Sequence, residues 1–593
     1  MRFLVKADQR HKYYLCEKPD EVIVASKTEE VIPAVERIEQ MQKQGFYLAG
    51  WISYEASTAF DERHKVLSNN DFPLVLMMAC KNIKEVYLKD LKGYERSHIC
   101  HSLKPHIKQD EYEESCSRVL DYIYEGDIYQ ANYSFRCDAK LNCHPFEMFQ
   151  KLENEHPVPY SIYVETDDWQ IISQSPELFL EKHSSTITSK PMKGTLKREL
   201  TYEADEKNRQ ALSEDRKSQA ENVMIVDLMR NDISRICKLG SVKVPELFTS
   251  TRYHSLHQLT STVSGELKDE IGLVDILKAT FPAGSITGAP KIRSMEIVSE
   301  LEKDGRRLYT GSAGVFLPGG DFILNVCIRT LLCQNEKALL GIGSGIVADS
   351  AKTLEWEECL LKSRFLNPKR RHSEVFETML WNGHLHYFEG HINRLENSCE
   401  YFLIPFNRNK VLEKLNKALY ELNTKALHRV RLAVKIDGSI DLKIIPLDFP
   451  GWKNEPLKIL ISSEKTDSES PYQYHKTDNR ELYNSEFTKA QEAGYDEVIF
   501  FNEKDELSEG AITNIFIQKD KQWFTPPISA GILNGTWRKN LIPALNAEEK
   551  TITLEDLKNA DDIIIGNSVK MRGQVGLIIQ ESKVIWKIKD ATI

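Results

Sequence analysis

Two patterns of hydrophobic and polar positions recur along the chain, and both halves of the chain contain each pattern. Short unbroken apolar runs, such as VLMM at residues 75–78 and III at residues 563–565, are typical of buried β-strands. Longer segments repeat apolar residues every three or four positions, as in residues 220–236 and 389–401, and predict amphipathic helices. The chain is therefore predicted to be α+β in both halves, rather than all-α or all-β.

A break in the apolar pattern predicts a boundary between two domains. The segment LKSRFLNPKRRHSEVFETML contains Pro368 followed by three basic residues, and the apolar pattern resumes at Val375. We therefore predict a first domain at residues 1–366, a linker at residues 367–373 and a second domain at residues 374–593.

Composition narrows the class of protein. The 593 residues include 41% hydrophobic and 28% charged residues, which is ordinary for a soluble globular chain of several domains. The net charge of -10 leaves no basic surplus for a nucleic acid backbone. Apolar runs of at most about nine residues are too short to span a membrane, and the N-terminus lacks the apolar segment of a secretory signal. The 11 cysteines form no C-x-x-C pair, so we expect reduced thiols, a cytoplasmic location and no nucleic acid or membrane partner.

Two carboxylates stand on apolar faces of predicted helices. Glu221 precedes Met224 by three positions and Leu228 by seven, and Glu358 has a similar spacing from its apolar neighbours. A carboxylate on such a face is costly unless it is paired or binds a cation, and Mg²⁺ commonly uses one or two carboxylates. Glu221 and Glu358 are candidate Mg²⁺ ligands, and the alternative is a helix edge where each carboxylate meets a lysine or solvent.

Glycine and proline mark three further candidate segments. Residues 281–291 (FPAGSITGAPK) and 341–350 (GIGSGIVADS) are rich in glycine, which lets backbone N–H groups approach an anion, although most such segments are simple turns. Neither matches a nucleotide-binding motif. Lys193 lies between Pro191 and Gly194 in SKPMKGT, where it is either a solvated surface charge or, if buried, a candidate nucleophile.

A series of short strings indicates a family for the first domain. In chain order they are GDIYQANYS, SPELFL, PMKGT, AENVMIVDLMRNDISRI, PELF, FPAGSITGAPKIRSMEI, YTGSAGVF, IRT and GSGIVADS. This series resembles the chorismate-using enzymes, which include anthranilate synthase component I, aminodeoxychorismate synthase component I, and the isochorismate and salicylate synthases. The resemblance covers about residues 110–365 and implies a chorismate-binding α/β sandwich.

The same resemblance implies roles for individual residues. At the position of Lys193, anthranilate synthases usually carry alanine and aminodeoxychorismate synthases carry lysine, so the resemblance favours the latter. Lys193 would then displace the 4-hydroxyl of the chorismate ring before ammonia replaces the lysine, with Glu177 as the acid/base that assists the leaving hydroxyl. Glu221 and Glu358 match the Mg²⁺ ligands of the family. The implied substrate-binding residues are Tyr309 and Arg329, which contact the enolpyruvyl carboxylate, and Thr287, Gly288 and Gly345.

The first domain departs from the family pattern at one position and lacks one partner. Many members have His-Leu after PELF, whereas this chain has Gln258 before Leu259 and His257 one place earlier, so no catalytic histidine is assigned. No catalytic-cysteine segment of a glutaminase is recognisable. Ammonia is therefore expected from solution or from a separate glutamine amidotransferase subunit.

The second domain resembles another family. Four strings carry this resemblance: EVFETMLWNGHLHYFEGHINRLENSCEYF, YHKTDNRELYN, LSEGAITNIFI and SAGILNGTWRKNLI. They are similar to fold-type IV pyridoxal phosphate enzymes, which include class IV aminotransferases and aminodeoxychorismate lyase. This resemblance implies a two-lobed fold, bound pyridoxal 5'-phosphate, Lys476 as its covalent attachment point, and Glu509 facing the pyridine nitrogen. The implied phosphate contacts are Arg394, Gly535 and Thr536. The short N-terminal hairpin of free-standing members is missing, which leaves a homodimer through this domain open.

The two resemblances together imply consecutive reactions. The first domain would aminate chorismate to 4-amino-4-deoxychorismate, and the second would release pyruvate from that product to leave 4-aminobenzoate, the folate precursor. One alternative is an anthranilate synthase component I joined to a class IV aminotransferase, which Lys193 argues against. Another is a chain in which one domain has decayed to a scaffold.

Overall fold

The structure is a computed structural model, and it describes most of the chain. The described residues are 1–6, 12–68, 71–91, 103–334, 337–366, 372–420, 422, 426–449, 451–452 and 456–588. Most of the predicted linker at residues 367–373 lies outside them. Within the described residues, no helix combines the length and the apolar character needed to cross a membrane.

Residue contacts divide the chain into two compact units. The first unit comprises Met1–Lys197 and Arg209–Arg370, and the second comprises Arg198–Asn208 and Arg371–Ile593. The short segment Arg198–Asn208 thus belongs structurally to the second unit, although it lies within the first half of the sequence. The domain boundaries at residues 366 and 374 stay predictions.

The first unit contains two large, mostly antiparallel sheets. Its strands are β1 (Arg2–Lys6), β2 (Lys12–Cys16), β3 (Glu21–Ala25), β4 (Tyr47–Ile52), β5 (Val75–Cys80), β6 (Lys84–Tyr87), β7 (Leu103–Pro105), β8 (Gln130–Lys140), β9 (Tyr160–Glu165), β10 (Gln170–Ser175), β11 (Leu178–His183), β12 (Thr186–Lys190), β13 (Met192–Lys197), β14 (Lys243–Arg252), β15 (Leu256–Glu266), β16 (Gly288–Ala289), β17 (Ser312–Phe316), β18 (Phe322–Val326), β19 (Thr330–Gln334) and β20 (Lys337–Val347). One sheet has the order β16-β8-β20-β19-β10-β9-β1-β2-β6, with β7 paired to β8. The other has the order β13-β15-β12-β11-β18-β17-β4-β5-β3, with β14 paired to β15.

Helices cover the outer faces of both sheets. They are α1 (Thr28–Lys43), α2 (Ser57–Phe60), α3 (Gln109–Tyr124), α4 (Pro145–Glu155), α6 (Arg216–Ser234), α7 (Leu273–Thr280), α8 (Lys291–Leu301) and α9 (Lys352–Lys362). Helix α5 (Tyr202–Glu214) begins in the segment that belongs to the second unit. A core between the sheets includes the buried Phe3, Trp51 and Ile171. Apolar residues of α1, α6 and α7 pack on the β11 sheet, and those of α3, α4, α8 and α9 pack on the β8 sheet. The first unit is therefore a sandwich of two sheets between two helical layers.

The second unit contains a small sheet and a large sheet. Its strands are β21 (Glu374–Trp381), β22 (His428–Lys435), β23 (Ile440–Pro446), β24 (Leu457–Ile461), β25 (Glu497–Phe501), β26 (Leu507–Gly510), β27 (Asn514–Lys519), β28 (Gln522–Thr525), β29 (Glu548–Glu549), β30 (Asp562–Asn567), β31 (Met571–Gln580) and β32 (Lys583–Lys587). Its helices are α10 (Phe388–Tyr401), α11 (Arg408–Tyr420), α12 (Glu481–Glu492), α13 (Thr536–Leu545) and α14 (Leu554–Lys558). The small sheet is β21-β22-β23, and the large sheet runs β26-β25-β24-β31-β30-β27-β28-β29, with β32 paired to β31.

The prediction of an α+β chain with two different units is confirmed. The predicted strands at residues 75–78 and 563–565 lie in β5 and β30, and the predicted helix at residues 389–401 matches α10 within one residue. The helix predicted at residues 220–236 is α6, which begins four residues earlier at Arg216. Its start is set by a cap, because the Asp215 side chain accepts a hydrogen bond from the Ser218 N–H at 2.8 Å.

Candidate active sites

A cavity of about 340 Å³ in the first unit collects most of the residues predicted for chorismate chemistry. Strands β13, β15 and β20 and helices α6 and α9 each contribute to its wall. The predicted residues that line it are Glu177, Lys193, Glu221, Tyr309, Arg329, Gly345 and Glu358. These side chains come from distant parts of the sequence, so the fold brings them into one pocket.

The amine of Lys193 is unpaired in the wall of this cavity. Lys193 lies on β13, and among the described residues its Nζ atom has no hydrogen bond or ion pair. Burial lowers the pKa of Lys193, and the nearby positive charge of Lys362 lowers it further, against the carboxylates of the site. The surface-charge interpretation of Lys193 is therefore disfavoured, and the geometry suits a neutral amine that can act as a nucleophile.

Glu177 is a buried acid in the same cavity. Its side chain lies immediately before β11 and accepts a hydrogen bond from Ser285 Oγ at 2.5 Å. Burial raises the pKa of Glu177 to about 7, although the Ser285 hydrogen bond and the charge of Lys193 act in the opposite direction. Glu177 can therefore hold or release a proton near neutral pH, which a general acid requires.

Glu221 and Glu358 face the cavity from two helices. Burial raises the pKa of Glu221 on α6, and the negative charges of Glu355 and Glu358 add to this effect. On α9, Lys362 Nζ lies 2.8 Å from the Glu358 carboxylate and lowers the pKa of Glu358. Lys362 also donates to the carbonyl of Gly343 at 3.0 Å. Within the described residues no cluster of three or more His, Cys, Asp or Glu side chains forms a complete metal site. The two carboxylates remain candidate oxygen ligands that a substrate and waters would complete.

Arg329 and Tyr309 provide a cation and an aromatic ring. In the part of the chain that the structure describes, no acceptor is hydrogen-bonded to the Arg329 guanidinium, whose pKa is lowered by burial. The Tyr309 ring lies against the glycines of β20, because a Cβ atom at Gly341 would come within 2.2 Å of its Cγ atom. These glycines make room for side chains on a fully paired strand, since β20 is hydrogen-bonded along its length to β8. Their use as an anion-binding loop is therefore not supported.

Two of the predicted substrate-binding residues do not line the cavity. The Thr287 hydroxyl donates to the carbonyls of Ala283 and Gly284, and Gly288 pairs with Ala131 between β16 and β8. Their neighbours Ser285 and Ile286 line the cavity instead. A contact of Thr287 or Gly288 with substrate stays a prediction.

The neighbouring residues Gln258 and His257 differ in their position relative to the cavity. Gln258 lines the cavity on β15, and its Oε1 atom is buried without a hydrogen-bond partner among the described residues. His257 is fully buried and does not line the cavity. At this position the cavity wall therefore carries the glutamine amide of Gln258 and not the imidazole of His257.

In the second unit, Lys476 and Glu509 form the centre of the other predicted site. Among the described residues the Lys476 amine has no hydrogen bond or ion pair, and it lies 5.0 Å from the ring centre of Phe376. Burial and then the charges of Arg480 and Arg394 lower the pKa of Lys476 to about 7. Burial raises the pKa of Glu509 to about 7, and Glu509 accepts the Leu533 N–H at 3.1 Å. The amine is thus close to neutral and the carboxylate can carry a proton.

Arg394 belongs to a buried network at the start of α13. Its Nε and Nη2 atoms donate to Glu377 at 2.7 Å each, and its Nη1 donates to the Asn534 carbonyl at 2.9 Å. Although burial raises it, the charges of Arg394 and His391 bring the pKa of Glu377 down to about 2. His391 bridges the Glu377 carboxylate, at 2.6 Å, to Thr536 Oγ1, at 3.0 Å. Arg394 and Thr536 are therefore held together by two residues that sequence reasoning missed.

Local spacing could have indicated some of the missed residues. His391 precedes Arg394 by three positions, and Lys362 follows Glu358 by four, so each pair shares one helix face. Glu377 lies in β21 between Phe376 and Thr378, where strand alternation points it inward. Ser285 carries no comparable signal, because its contact with Glu177 joins residues 108 positions apart.

Comparison with known proteins assigns the chain to a family. The chorismate binding enzyme model matches residues 2–368, and the class IV amino-transferase model matches residues 374–578. Aminodeoxychorismate synthase component 1 of Bacillus subtilis (strain 168) is 40% identical over 255 residues, which are 43% of this chain and 54% of the relative. Anthranilate synthase component 1 of Aquifex aeolicus (strain VF5) is 35% identical over 286 residues, which are 48% of this chain and 58% of the relative. The chain thus spans a little over half the length of these relatives.

A solved structure agrees with the family match. Anthranilate synthase component I from Streptococcus pneumoniae TIGR4 has a TM-score of 0.54 and 25% sequence identity, covering 61% of this chain and 93% of that one. The chorismate binding enzyme model spans the residues that form the cavity, including Lys193 and Arg329. The chain therefore belongs to the chorismate binding enzyme family and carries a class IV aminotransferase domain after the chorismate-binding part.

Proposed function

We propose that the chain makes 4-aminobenzoate from chorismate in two consecutive reactions. The first unit aminates chorismate with ammonia to 4-amino-4-deoxychorismate, and the second unit releases pyruvate from that product. The observation that carries the proposal is the unpaired amine of Lys193 in the cavity wall, in the same pocket as Glu177 and Arg329. The similarity to aminodeoxychorismate synthase component 1 supports the same reaction class.

Arg329 and Tyr309 orient the substrate. Within the described residues no acceptor is hydrogen-bonded to the Arg329 guanidinium, which can therefore grip the enolpyruvyl carboxylate through two parallel hydrogen bonds, and the Tyr309 hydroxyl supplies a third donor. Binding of the enolpyruvyl carboxylate holds the chorismate ring beside Lys193. The amine then attacks a substrate that is already oriented within the same complex, which lowers the entropic cost of the step.

Lys193 and Glu177 carry the amination. The Lys193 nitrogen forms a bond to the ring while the bond between the ring and the 4-hydroxyl breaks, and Glu177 gives its proton so that water leaves. Ammonia then forms the bond at carbon 4 as the bond to lysine breaks, and Lys193 returns as the free amine. The pKa shifts favour these roles: the lowered pKa of Lys193 favours a neutral nucleophile, and the raised pKa of Glu177 favours a protonated acid.

Glu221 and Glu358 are the residues that would hold Mg²⁺. Two carboxylates on the cavity wall match the preference of Mg²⁺ for oxygen ligands with open positions for waters and a substrate oxygen. Burial raises the pKa of Glu221, and a divalent cation beside this carboxylate would favour its charged form and would also neutralise the ring carboxylate. Lys362, paired with Glu358, adds a positive charge on the same wall.

The second unit has the residues expected to hold pyridoxal phosphate. Lys476 is a buried, unpaired lysine with a lowered pKa, and the helix start at Gly535 and Thr536 lies beside Arg394, which suits a phosphate group. The cofactor, when bound, supplies an electron sink for the reaction. Glu509 would stabilise the protonated pyridine nitrogen, and Lys476 would move the proton of the substrate ring whose loss accompanies pyruvate release.

The proposed reactions require a substrate and a source of ammonia. Chorismate is the substrate, and ammonia comes from solution or from a separate glutamine amidotransferase subunit, in the cytoplasm. A homodimer through the second unit belongs to the same proposal. The rival is anthranilate formation by the first unit, because one relative is an anthranilate synthase component 1. Identification of the aromatic product distinguishes them: 4-aminobenzoate supports the proposal, and anthranilate supports the rival.

A further inference from the structure

The segment Arg198–Asn208 is an integral part of the second unit. Arg198 Nε donates to Asp205 Oδ1 at 2.8 Å, and Asp205 also accepts the Glu199 N–H at 3.1 Å. The side chains of Arg198 and Asp205 are only 8% and 0% exposed. A buried ion pair of this kind fixes the segment in one conformation, because neither charge can be left unpaired at low cost.

This segment contacts the backbone carbonyl, the ring and the hydroxyl of Tyr401. Arg198 Nη2 donates to the Tyr401 carbonyl at 2.8 Å, and the guanidinium carbon lies 4.2 Å from the centre of the Tyr401 ring. The Tyr401 hydroxyl donates to the Glu199 carbonyl at 2.8 Å. The plane and the position of the tyrosine ring are therefore set by Arg198 and Glu199.

Tyr401 in turn packs against the residue before Lys476. The rings of Tyr401 and His475 are stacked with centres 4.1 Å apart and an angle of 30° between their planes. His475 is buried, and its Nδ1 atom lies 2.9 Å from Ser398 Oγ. Burial and then the charge of Arg198 lower the pKa of His475 to about 3, so the ring is neutral at physiological pH.

The backbone of Lys476 is held from a second side by β21. The Phe376 N–H donates to the Lys476 carbonyl at 2.9 Å, and the Phe376 ring lies below the lysine amine. The lysine is thus placed between this strand and the stacked His475. Of these two supports, only the stacking of Tyr401 on His475 depends on the segment Arg198–Asn208.

We propose that Arg198 and Tyr401 are positioning residues for Lys476, acting through the stacked ring of His475. The proposal rests on the lyase function proposed above for its kinetic consequence, although the contacts themselves do not. Neither residue touches the reacting atoms. Their role is to keep the Lys476 backbone fixed so that its amine stays desolvated and aimed at one position.

The test uses full-length variants of graded severity. Tyr401→Leu removes the stack on His475 while keeping an apolar side chain, and Tyr401→Phe keeps the ring and removes the hydroxyl that donates to Glu199. A double variant, Arg198→Met with Asp205→Leu, replaces the buried ion pair by apolar groups of similar volume, which often preserves stability. The matched control is Tyr202→Phe, which removes a hydroxyl of the same segment that donates to the exposed Glu400 at 2.8 Å.

Two measurements are made on each variant. The first is the pH dependence of Lys476 labelling by an amine-selective reagent in the cofactor-free chain, read by mass spectrometry of the lysine peptide. The second is kcat and KM for pyruvate release from 4-amino-4-deoxychorismate. We expect Tyr401→Leu and the double variant to raise the labelling pKa of Lys476 by about 1 unit as water reaches the amine. We expect kcat to fall roughly 10-fold with KM little changed, since a misplaced group loses transition-state contacts.

The outcomes separate this inference from the proposed lyase function. If the parent chain releases no pyruvate but the variants still show a raised labelling pKa of Lys476, the lyase function is refuted and the positioning role is retained. Parental labelling and kcat in both Tyr401→Leu and the double variant would overturn the positioning role. Unfolding of the second unit in both variants would also overturn it, because Arg198 and Tyr401 would then be folding residues. Tyr401→Phe and Tyr202→Phe should remain close to the parent.

Discussion

A Cβ atom on Gly345 would lie 3.1 Å from the Nζ atom of Lys193 and 2.5 Å from the Nε2 atom of Gln130. The glycine on β20 and the lysine on β13 thus share one narrow space across the cavity. The absence of a side chain at Gly345 leaves room for the Lys193 amine in the cavity.

This relationship predicts the effect of filling the space. Gly345→Ala should displace Lys193 or Gln130, because a contact below 3.0 Å forces a shift in a packed site. We expect kcat for chorismate consumption to fall roughly 100-fold, on the scale of losses caused by small misplacements of reacting groups. Gly272→Ala is the control, because its added Cβ meets carboxylate oxygens of Glu39 at 3.1 Å and of Asp275 at 3.7 Å, outside the cavity and with no contact below 3.0 Å. Equal activity of both variants in a steady-state assay would show that Lys193 does not need the space.

The carboxylates of α6 and α9 give a prediction about metal. Glu221→Gln or Glu358→Gln should reduce Mg²⁺-dependent chorismate turnover by roughly 100-fold or more, because each removes a charged group that stabilises the transition state. Pyridoxal phosphate bound to the second unit should be unaffected in its absorption spectrum. Glu357→Gln, on the exposed side of α9, serves as the control. Parental Mg²⁺ dependence in the first two variants would return both glutamates to the interpretation as helix-edge charges.

The shifted groups of the cavity predict a bell-shaped pH profile for chorismate consumption. Glu177, with its pKa raised to about 7, must be protonated to act as an acid, so activity should decline as pH rises above neutrality. Lys193, with its pKa lowered, must be neutral to attack, so activity should also decline toward acid pH. The two apparent pKa values belong to the interacting pair rather than to either residue.

Glu177→Gln tests the alkaline limb of that profile. The variant should lose activity by roughly 100-fold or more, the usual contribution of a positioned acid, and its remaining activity should no longer decline above neutrality. Glu181→Gln on β11 should retain the parental profile. A parental alkaline limb in Glu177→Gln would assign that limb to another group.

Lys476 separates the chemistry of the two units. Lys476→Ala should abolish the visible absorption that depends on attachment of the cofactor to lysine, and pyruvate release should slow by roughly a thousandfold or more. Chorismate should still be consumed with ammonium, so that 4-amino-4-deoxychorismate accumulates. Added aminodeoxychorismate lyase should restore the aromatic product. Lys489→Ala, at an exposed lysine of α12, is the control. Undiminished 4-aminobenzoate formation by Lys476→Ala would favour the scaffold alternative for the second unit.

Motifs with local signals were predictable from the sequence. Lys193, Glu177 and Arg329 stand inside short recognisable strings, and all three line one cavity in the structure. The strand at residues 75–78 and the helix at residues 389–401 were also predictable, because one shows an unbroken apolar run and the other a helical period.

Other features depend on contacts between distant positions. The conformation of residues 341–345 was not predictable, because a glycine-rich string does not reveal that the segment is a paired strand beside Tyr309 and Lys193. The membership of residues 198–208 in the second unit has no local signal, since it rests on contacts with residues about 200 positions later, such as Arg198 with Tyr401. Long-range packing of this kind cannot be read from periodicity.

The most direct test of the account is the identity of the product made by the whole chain. The purified chain is incubated with chorismate, ¹⁵N-labelled ammonium, Mg²⁺ and pyridoxal phosphate, and the products are identified by mass spectrometry and NMR. The account predicts 4-aminobenzoate whose ¹⁵N-labelled amino group is bonded to carbon 4, together with an equal amount of pyruvate. With glutamine in place of ammonium, it predicts no turnover unless an amidotransferase subunit is added. Anthranilate as the main product, with the label on carbon 2, would contradict it.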